Sequence, residues 1–281
     1  MKAEQHLADR ADPKSPCLAI NRNKAPFAKR IECDIDQAMS LSLFRLTAAM
    51  VLGFAVANLP AAFAASGQMN KPPPRWNWLN EDDKKNLLQS IPPAPTLGSA
   101  LDQQDVQGVL KLQATRTPQD IAEALSDKNF RLEIVARPLG PSFTKTDYPV
   151  TFALLDRVNE DEYLLNSTLK KEYKRLRPFQ SHPEVKALFT VDGFSYPSGH
   201  TSGAYTLAEV LGAVFPDQKD ALLDRAAAVG RSRIVAGVHY PSDVKEGKKL
   251  ADALVSALLA NAAFQRDLAA AQAEGAAKKT P

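Results

Sequence analysis

Three stretches in the second half of the sequence carry residue types that suit a single anion. Lys170 to Pro178 reads KKEYKRLRP, Ser195 to Thr201 reads SYPSGHT, and Gly230 to Asp243 reads GRSRIVAGVHYPSD. Together they supply Lys170, Arg177 and Arg233, two histidines and an aspartate. That set can hold a phosphate dianion and attack it. Lys170 and Arg177 stand seven residues apart, two helical turns, which places them on one side of a helix that Pro178 ends just beyond Arg177. The arginine fork takes two phosphate oxygens while the lysine adds a point charge. In the second stretch a Pro-Ser-Gly turn opens a helix. The N–H groups of Ser198, Gly199 and the residues after them then point outward as an anion site. Gly199 permits close backbone approach, and His200, with an ordinary pKa of about 6.5, suits a general acid that protonates a leaving alcohol. In the third stretch His239 sits just before a helix opened by Pro241. Asp243, four residues on, can return its carboxylate to one imidazole nitrogen, fixing the tautomer and leaving the other nitrogen as nucleophile. Arg233, one or two turns back on the preceding helix, could reach the same phosphate.

Each stretch alone has an ordinary reading: a solvated helix face, a serine N-cap beside an exposed histidine, a His–Asp helix cap. Their conjunction in the order K-x6-R-P, P-S-G-H, S-R-x5-H-x3-D resembles the three-part signature of the type 2 phosphatidic acid phosphatase superfamily, with every position filled. SYPSGHTS and SRIVAGVHYPSDV are similar to the secreted bacterial class A non-specific acid phosphatases, and a weaker likeness in spacing and helix pattern runs from about Leu97 to Phe264. The resemblance implies an all-α, single-domain helical bundle of the kind shared with vanadium haloperoxidases, no metal or other cofactor, a phosphohistidine intermediate and an acid pH optimum. Carried onto this sequence, it makes His239 the nucleophile, Asp243 its orienting partner and His200 the acid and later the base for water. Lys170, Arg177, Ser198, Gly199 and Arg233 would bind the phosphoryl oxygens of small phosphorylated substrates. Two alternatives stay open. One is a vanadium-dependent haloperoxidase with vanadate on His239, which would oxidise halide with peroxide. The other is a non-catalytic protein that binds a phosphorylated ligand tightly without turnover.

The elements that must position these residues read as helices. Leu101, Val106, Val109, Leu110 and Leu112 fall on one helical face, and Thr117-Pro118, with Asp120 in the first turn, starts the next segment. Further helices are expected at about 151–159, 162–176, 201–215, 219–236 and 241–264, and no stretch alternates convincingly with period two. KPPP and IPPAP mark residues 65–96 as a Pro-rich extended arm tied down by Trp76, Trp78 and Leu79. Residues 97–265 form the phosphatase-type domain, and 266–281 read as a flexible tail.

A formal net charge of +3 over 281 residues, with no long basic run, excludes nucleic acid as a partner. A single basic residue, Arg45, an apolar run from Leu46 to Ala57 and the A-x-A end Ala62-Phe63-Ala64 make residues 39–64 a signal peptide, cleaved after Ala64 or Ala65. Residues 1–38, ahead of Met39, read as an over-extended start or a leader. Both cysteines, Cys17 and Cys33, precede the cleavage point, so the mature chain has no disulfide. A periplasmic or secreted protein without stable membrane insertion is expected, and a homo-oligomer is left open. His6 and His182 lie outside the three stretches and carry no assigned role.

Overall fold

The computed structural model describes residues 76–279, and these are helical with no strand among them. The leader at 1–38, the signal peptide at 39–64, both cysteines and the first part of the arm lie outside the described residues. The α-helices in order are α1 Glu81–Ser90, α2 Ala100–Thr115, α3 Pro118–Ser126, α4 Leu132–Val135, α5 Pro149–Tyr173, α6 Pro178–Ser181, α7 Gly199–Val214, α8 Lys219–Val235, α9 Pro241–Ala260 and α10 Ala262–Lys279. Two 3-10 turns, Arg137–Leu139 and Pro216–Gln218, join them. No described helix is long and apolar enough to cross a membrane.

Helix starts follow local chemistry. The Thr117 hydroxyl accepts from Asp120 N–H, the Asp120 carboxylate accepts from Thr117 N–H, and Pro118 takes the first helical position. Asn80 and Asp83 form the same reciprocal cap on α1. α7 is the central helix, buried on nearly every side, with α5, α8 and α9 packed around it. Leu155, Leu165 and Leu169 of α5 meet Leu207 and Leu211 of α7, Leu222 of α8, and Leu250, Leu254 and Leu258 of α9 in one core. Full burial of each such leucine contributes about 1.5–3 kcal/mol. Because α5, α7, α8 and α9 alternate in direction, the end of α5, the start of α7, the end of α8 and the start of α9 gather at one end of the bundle. All three chemistry-bearing stretches lie there.

Three elements differ from the sequence expectation. The two helices expected at 151–159 and 162–176 are one, α5, because Asn159, Glu160 and Asp161 are polar without being helix breakers. The arm is not extended throughout, since α1 lies within it; Trp78 and Leu79 are buried beside it. The helix expected to run to Phe264 stops at Asn261, whose backbone is extended and whose side chain accepts from Ala263 and Phe264 N–H at 2.9 and 3.1 Å, starting α10. α10 then continues through the segment expected as a flexible tail, with Phe264, Leu268 and Ala271 buried in the core.

Candidate active site

The third stretch builds the centre of the site. α8 ends just after Arg233, and Gly237, with φ of 71°, turns the chain so that Val238 and His239 both donate their N–H to the Arg233 carbonyl, at 3.2 and 3.3 Å. Pro241 then opens α9. One carboxylate oxygen of Asp243, Oδ2, accepts from Tyr240 N–H at 2.9 Å and lies 3.2 Å from His239 Nδ1. The four-residue step therefore returns the carboxylate to one imidazole nitrogen, as the spacing suggests.

The other ring nitrogen, Nε2, lies 3.1 Å from Arg177 Nη1. A guanidinium has donors and no acceptor, so Nε2 must present its lone pair and the ring proton sits on Nδ1, toward Asp243. Arg177 is held rigidly for this contact. Its Nε donates to Gly193 O at 3.0 Å, Nη2 to Asp192 O at 3.0 Å and Nη1 to Val238 O at 2.9 Å. Burial pushes the His239 imidazolium well below its ordinary range, and the charges of Arg177, Lys170 and Arg233 push it further. His239 is a neutral, buried ring with one lone pair aimed among cations.

Lys170 and Arg177 converge, but not from one helix face. α5 stops at Tyr173, Lys174 adopts the left-handed conformation at φ of 48°, and Arg177 is extended. Pro178 disfavours helical backbone at Arg177, so the helix has to end earlier than expected and the chain reverses to bring the guanidinium back. Lys170 Nζ donates to Phe194 O at 2.8 Å and Ser195 O at 3.0 Å. Its pKa is pushed down to about 7, first by burial and then by Arg177. Arg233 is 1% exposed, donates from Nη1 to Asp127 O at 3.1 Å, and has a buried Nε without a hydrogen-bond partner.

Ser198 caps α7 as expected, its hydroxyl oxygen accepting from Thr201 N–H at 3.4 Å and Thr201 Oγ1–H at 2.9 Å. Its own N–H is not free for an anion, because it donates to the Asp243 carbonyl at 2.9 Å. The N–H groups of Gly199 and His200, first in α7, have no intrahelical acceptor. His200 lies edge-on to Phe130, with Nε2 at 3.1 Å from Lys128 O. Burial and the charge of Arg233 push its pKa down to about 3, against the ordinary value assumed from the sequence.

Five further polar side chains brace the site without having been singled out in the sequence. Ser195 donates its hydroxyl to Asp243 Oδ2 in a very short contact. Arg175 Nη1 donates to Asp243 Oδ1 at 2.8 Å. On the other side, Asn166 Nδ2 donates to Ser202 Oγ at 2.9 Å, and Ser202 Oγ–H donates to the buried Glu162. Glu162, Asn166 and Lys170 recur every four residues along one face of α5, a polar stripe beside the buried leucines of the helix that was a readable signal.

The sequence profile of the PAP2 superfamily matches residues 161–266. A non-specific acid phosphatase from Providencia stuartii is 31% identical over 213 residues, covering 72% of this chain and 86% of that one. An acid phosphatase from Zymomonas mobilis subsp. mobilis is 28% identical over 235 residues, with 80% and 87% covered. The crystal structure of a transmembrane PAP2-type phosphatidylglycerolphosphate phosphatase from Bacillus subtilis aligns with a TM-score of 0.45 at 22% identity, over 62% of this chain and 89% of that one. The profile encloses every residue gathered around His239, and the Providencia enzyme is matched along most of its length, so the chain belongs to the PAP2 superfamily.

Proposed function

We propose that the chain is an exported, metal-independent acid phosphatase that hydrolyses phosphate monoesters through a phosphohistidine at His239. The acid phosphatases to which it is similar support the reaction class. The observation that carries the mechanism is the pair of contacts on one ring, Nδ1 to Asp243 and Nε2 to Arg177. Phosphoryl transfer passes through a loose state with charge spread over three oxygens, so catalysis rests on positioning and fixed positive charge. Lys170, Arg177 and Arg233 supply that charge, the unpartnered Arg233 Nε a donor, and the start of α7 backbone donors. The Ser198 oxygen accepts twice, which leaves its own proton to donate to a phosphoryl oxygen.

Nε2 attacks phosphorus, the P–O bond to the leaving alcohol breaks as the P–N bond forms, and His200 gives that oxygen a proton. His200 then takes a proton from water, which attacks phosphorus and releases inorganic phosphate with the Nε2 lone pair restored. Burial is the first cause of the His200 pKa of about 3, and the charges of Arg233, Arg177 and Lys170 that lower it further belong to the cations proposed to bind the substrate. A dianion among them offsets their field and moves the imidazole back toward its protonated form. Export rests on the apolar run from Leu46 to Ala57 and the Ala62-Phe63-Ala64 end, and makes the enzyme periplasmic or secreted.

The test is hydrolysis of p-nitrophenyl phosphate in EDTA by the wild type and His239→Ala, with protein quenched in alkali, where a P–N bond survives, and examined for phosphohistidine. Turnover should survive EDTA and fall by at least about 10⁴-fold in the variant. Turnover retained by His239→Ala, or lost in EDTA by the wild type, would defeat the mechanism.

A further inference from the structure

Asp243 is reached from behind by a guanidinium that touches neither His239 nor the anion-binding cations. Arg175 lies on the far side of the carboxylate and is 7% exposed. Its Nη1 donates to Asp243 Oδ1 at 2.8 Å and to Ser242 Oγ at 2.8 Å. Its Nη2 donates to Asp102 Oδ1 at 3.1 Å and Asp105 Oδ2 at 2.9 Å, both in the first turns of α2. The guanidinium also stacks over the Tyr240 ring, 3.8 Å from its centre. Asp105 closes the circle, accepting Ser242 N–H at 2.9 Å and, in a very short contact, the Ser242 hydroxyl. One cation is thus shared by three buried carboxylates, and its two ends face different helices.

We infer that Arg175 is a positioning residue of this site, a two-ended clamp that anchors the α9 N-terminus to α2 and, from the Oδ1 side, helps hold Asp243 with Oδ2 turned to His239. The inference rests on the phosphohistidine reading. Asp243 is free to orient the imidazole because its other oxygen is already bonded, and the aspartates of α2 keep the guanidinium from swinging forward to pair with Oδ2 itself. Were Oδ2 to rotate away, Nδ1–H would lose its carboxylate acceptor, the ring would be held chiefly from the Nε2 side by Arg177, and the positive charge that builds on the imidazole as Nε2 attacks would go unsupported. A lysine cannot replace this clamp, because one ammonium does not span both carboxylate groups in a plane.

The experiment compares wild type with R175M, which keeps volume without charge, and R175K, which keeps charge without the fork. Folding is followed by circular dichroism, His239 phosphorylation by rapid quench with p-nitrophenyl phosphate, and phosphate affinity by competitive inhibition. The far-downfield proton NMR signal of the His239 Nδ1–H reports the bond to Asp243. R175M should slow phosphorylation by about 10- to 100-fold, as for other outer partners of functional histidines. Inhibition by phosphate should change by less than about threefold, since Arg175 holds no phosphoryl oxygen. The downfield signal should be lost, and R175K should stay closer to R175M than to wild type. Wild-type phosphorylation in folded R175M, full recovery in R175K, or a retained downfield signal would overturn the clamp. If R175M does not fold, D105N decides. It leaves Arg175 on Asp102 and Asp243, and slower phosphorylation at unchanged phosphate inhibition supports the clamp, whereas an unchanged rate overturns it. Absence of phosphohistidine in the wild type would instead overturn the underlying mechanism, and the clamp with it.

Discussion

At the scale of single residues the site is a set of buried charges whose protonation depends on one another. Lys170 is held at about 7 and Glu162 is pushed up to about 7, in each case by burial first, and each favours the other's charge. Glu162 has an ordinary value of 4.5, so between 4.5 and about 7 the unfolded chain ionises it while the folded chain does not. Its contribution to stability is therefore fully present below the ordinary value and lost as pH rises toward the folded one. Glu162→Gln keeps a partner for Ser202 and removes this titration. The melting midpoint of the variant should rise relative to wild type as pH goes from about 4 to 8. A constant difference across that range would mean that Glu162 is ionised in the folded protein. The eight candidate residues could be read from the sequence because Lys, Arg, His and a Pro-Ser-Gly turn announce their chemistry locally. Arg175 and Ser195 could not, because what each does depends on a carboxylate that only the fold brings to it.

At the scale of elements, the readable features were those set by neighbours in sequence. The Thr117-Pro118-Asp120 start of α3 and the Pro241 start of α9 follow from capping chemistry and appear as expected. The join of α9 to the Pro-Ser-Gly turn was not readable, because it depends on two segments separated by a whole helical hairpin. At Gly247 of α9 an added Cβ would lie 2.7 Å from the Ser198 carbonyl oxygen and 3.2 Å from Thr201 Cβ. A glycine within an exposed helix normally gains about 0.8–1.0 kcal/mol on replacement by alanine. Here the sign should invert. Gly247→Ala should destabilise by about 1–3 kcal/mol, because the obstacle is backbone that cannot swing aside. It should also lower kcat, since Ser198 and Gly199 are pushed away from His239. Urea denaturation and steady-state kinetics check both, and a variant that is more stable and fully active would show that α9 does not clamp the turn.

Across the whole molecule, the bundle is closed by the helix that the sequence presented as a frayed end. Phe264, Leu268, Ala271 and Gly275 stand at core-facing intervals, but the last two are too small to reveal the pattern beside so many exposed alanines. What α10 does is non-local. Asp267 accepts from Trp78 Nε1 at 3.0 Å, the Trp78 ring meets Phe264 edge-on at 5.1 Å, and Asn261 Nδ2 donates to Trp78 O at 2.8 Å. Glu274 caps a different helix: its carboxylate accepts from Val150 N–H at 2.9 Å, Thr151 N–H at 2.8 Å and Thr151 Oγ1–H at 2.7 Å. α5 has no side-chain cap of its own, since Tyr148 supplies none. Removing residues 262–281 would strip Phe264 and Leu268 from the core at about 1.5–3 kcal/mol each. It would also delete a cap of about 0.5–2 kcal/mol and expose Trp78 and Phe215 to water. That sum approaches the whole stability of a typical domain, about 5–15 kcal/mol, so the truncated chain should show no cooperative thermal transition. Glu274→Ala, by contrast, should lose about the cap alone and retain wild-type kcat below its melting point. The start of α5 lies about 30 Å from Lys170 along the helix axis, too far for a frayed first turn to disturb the site. A truncated chain that melts cooperatively near the wild-type midpoint would place α10 outside the folding unit.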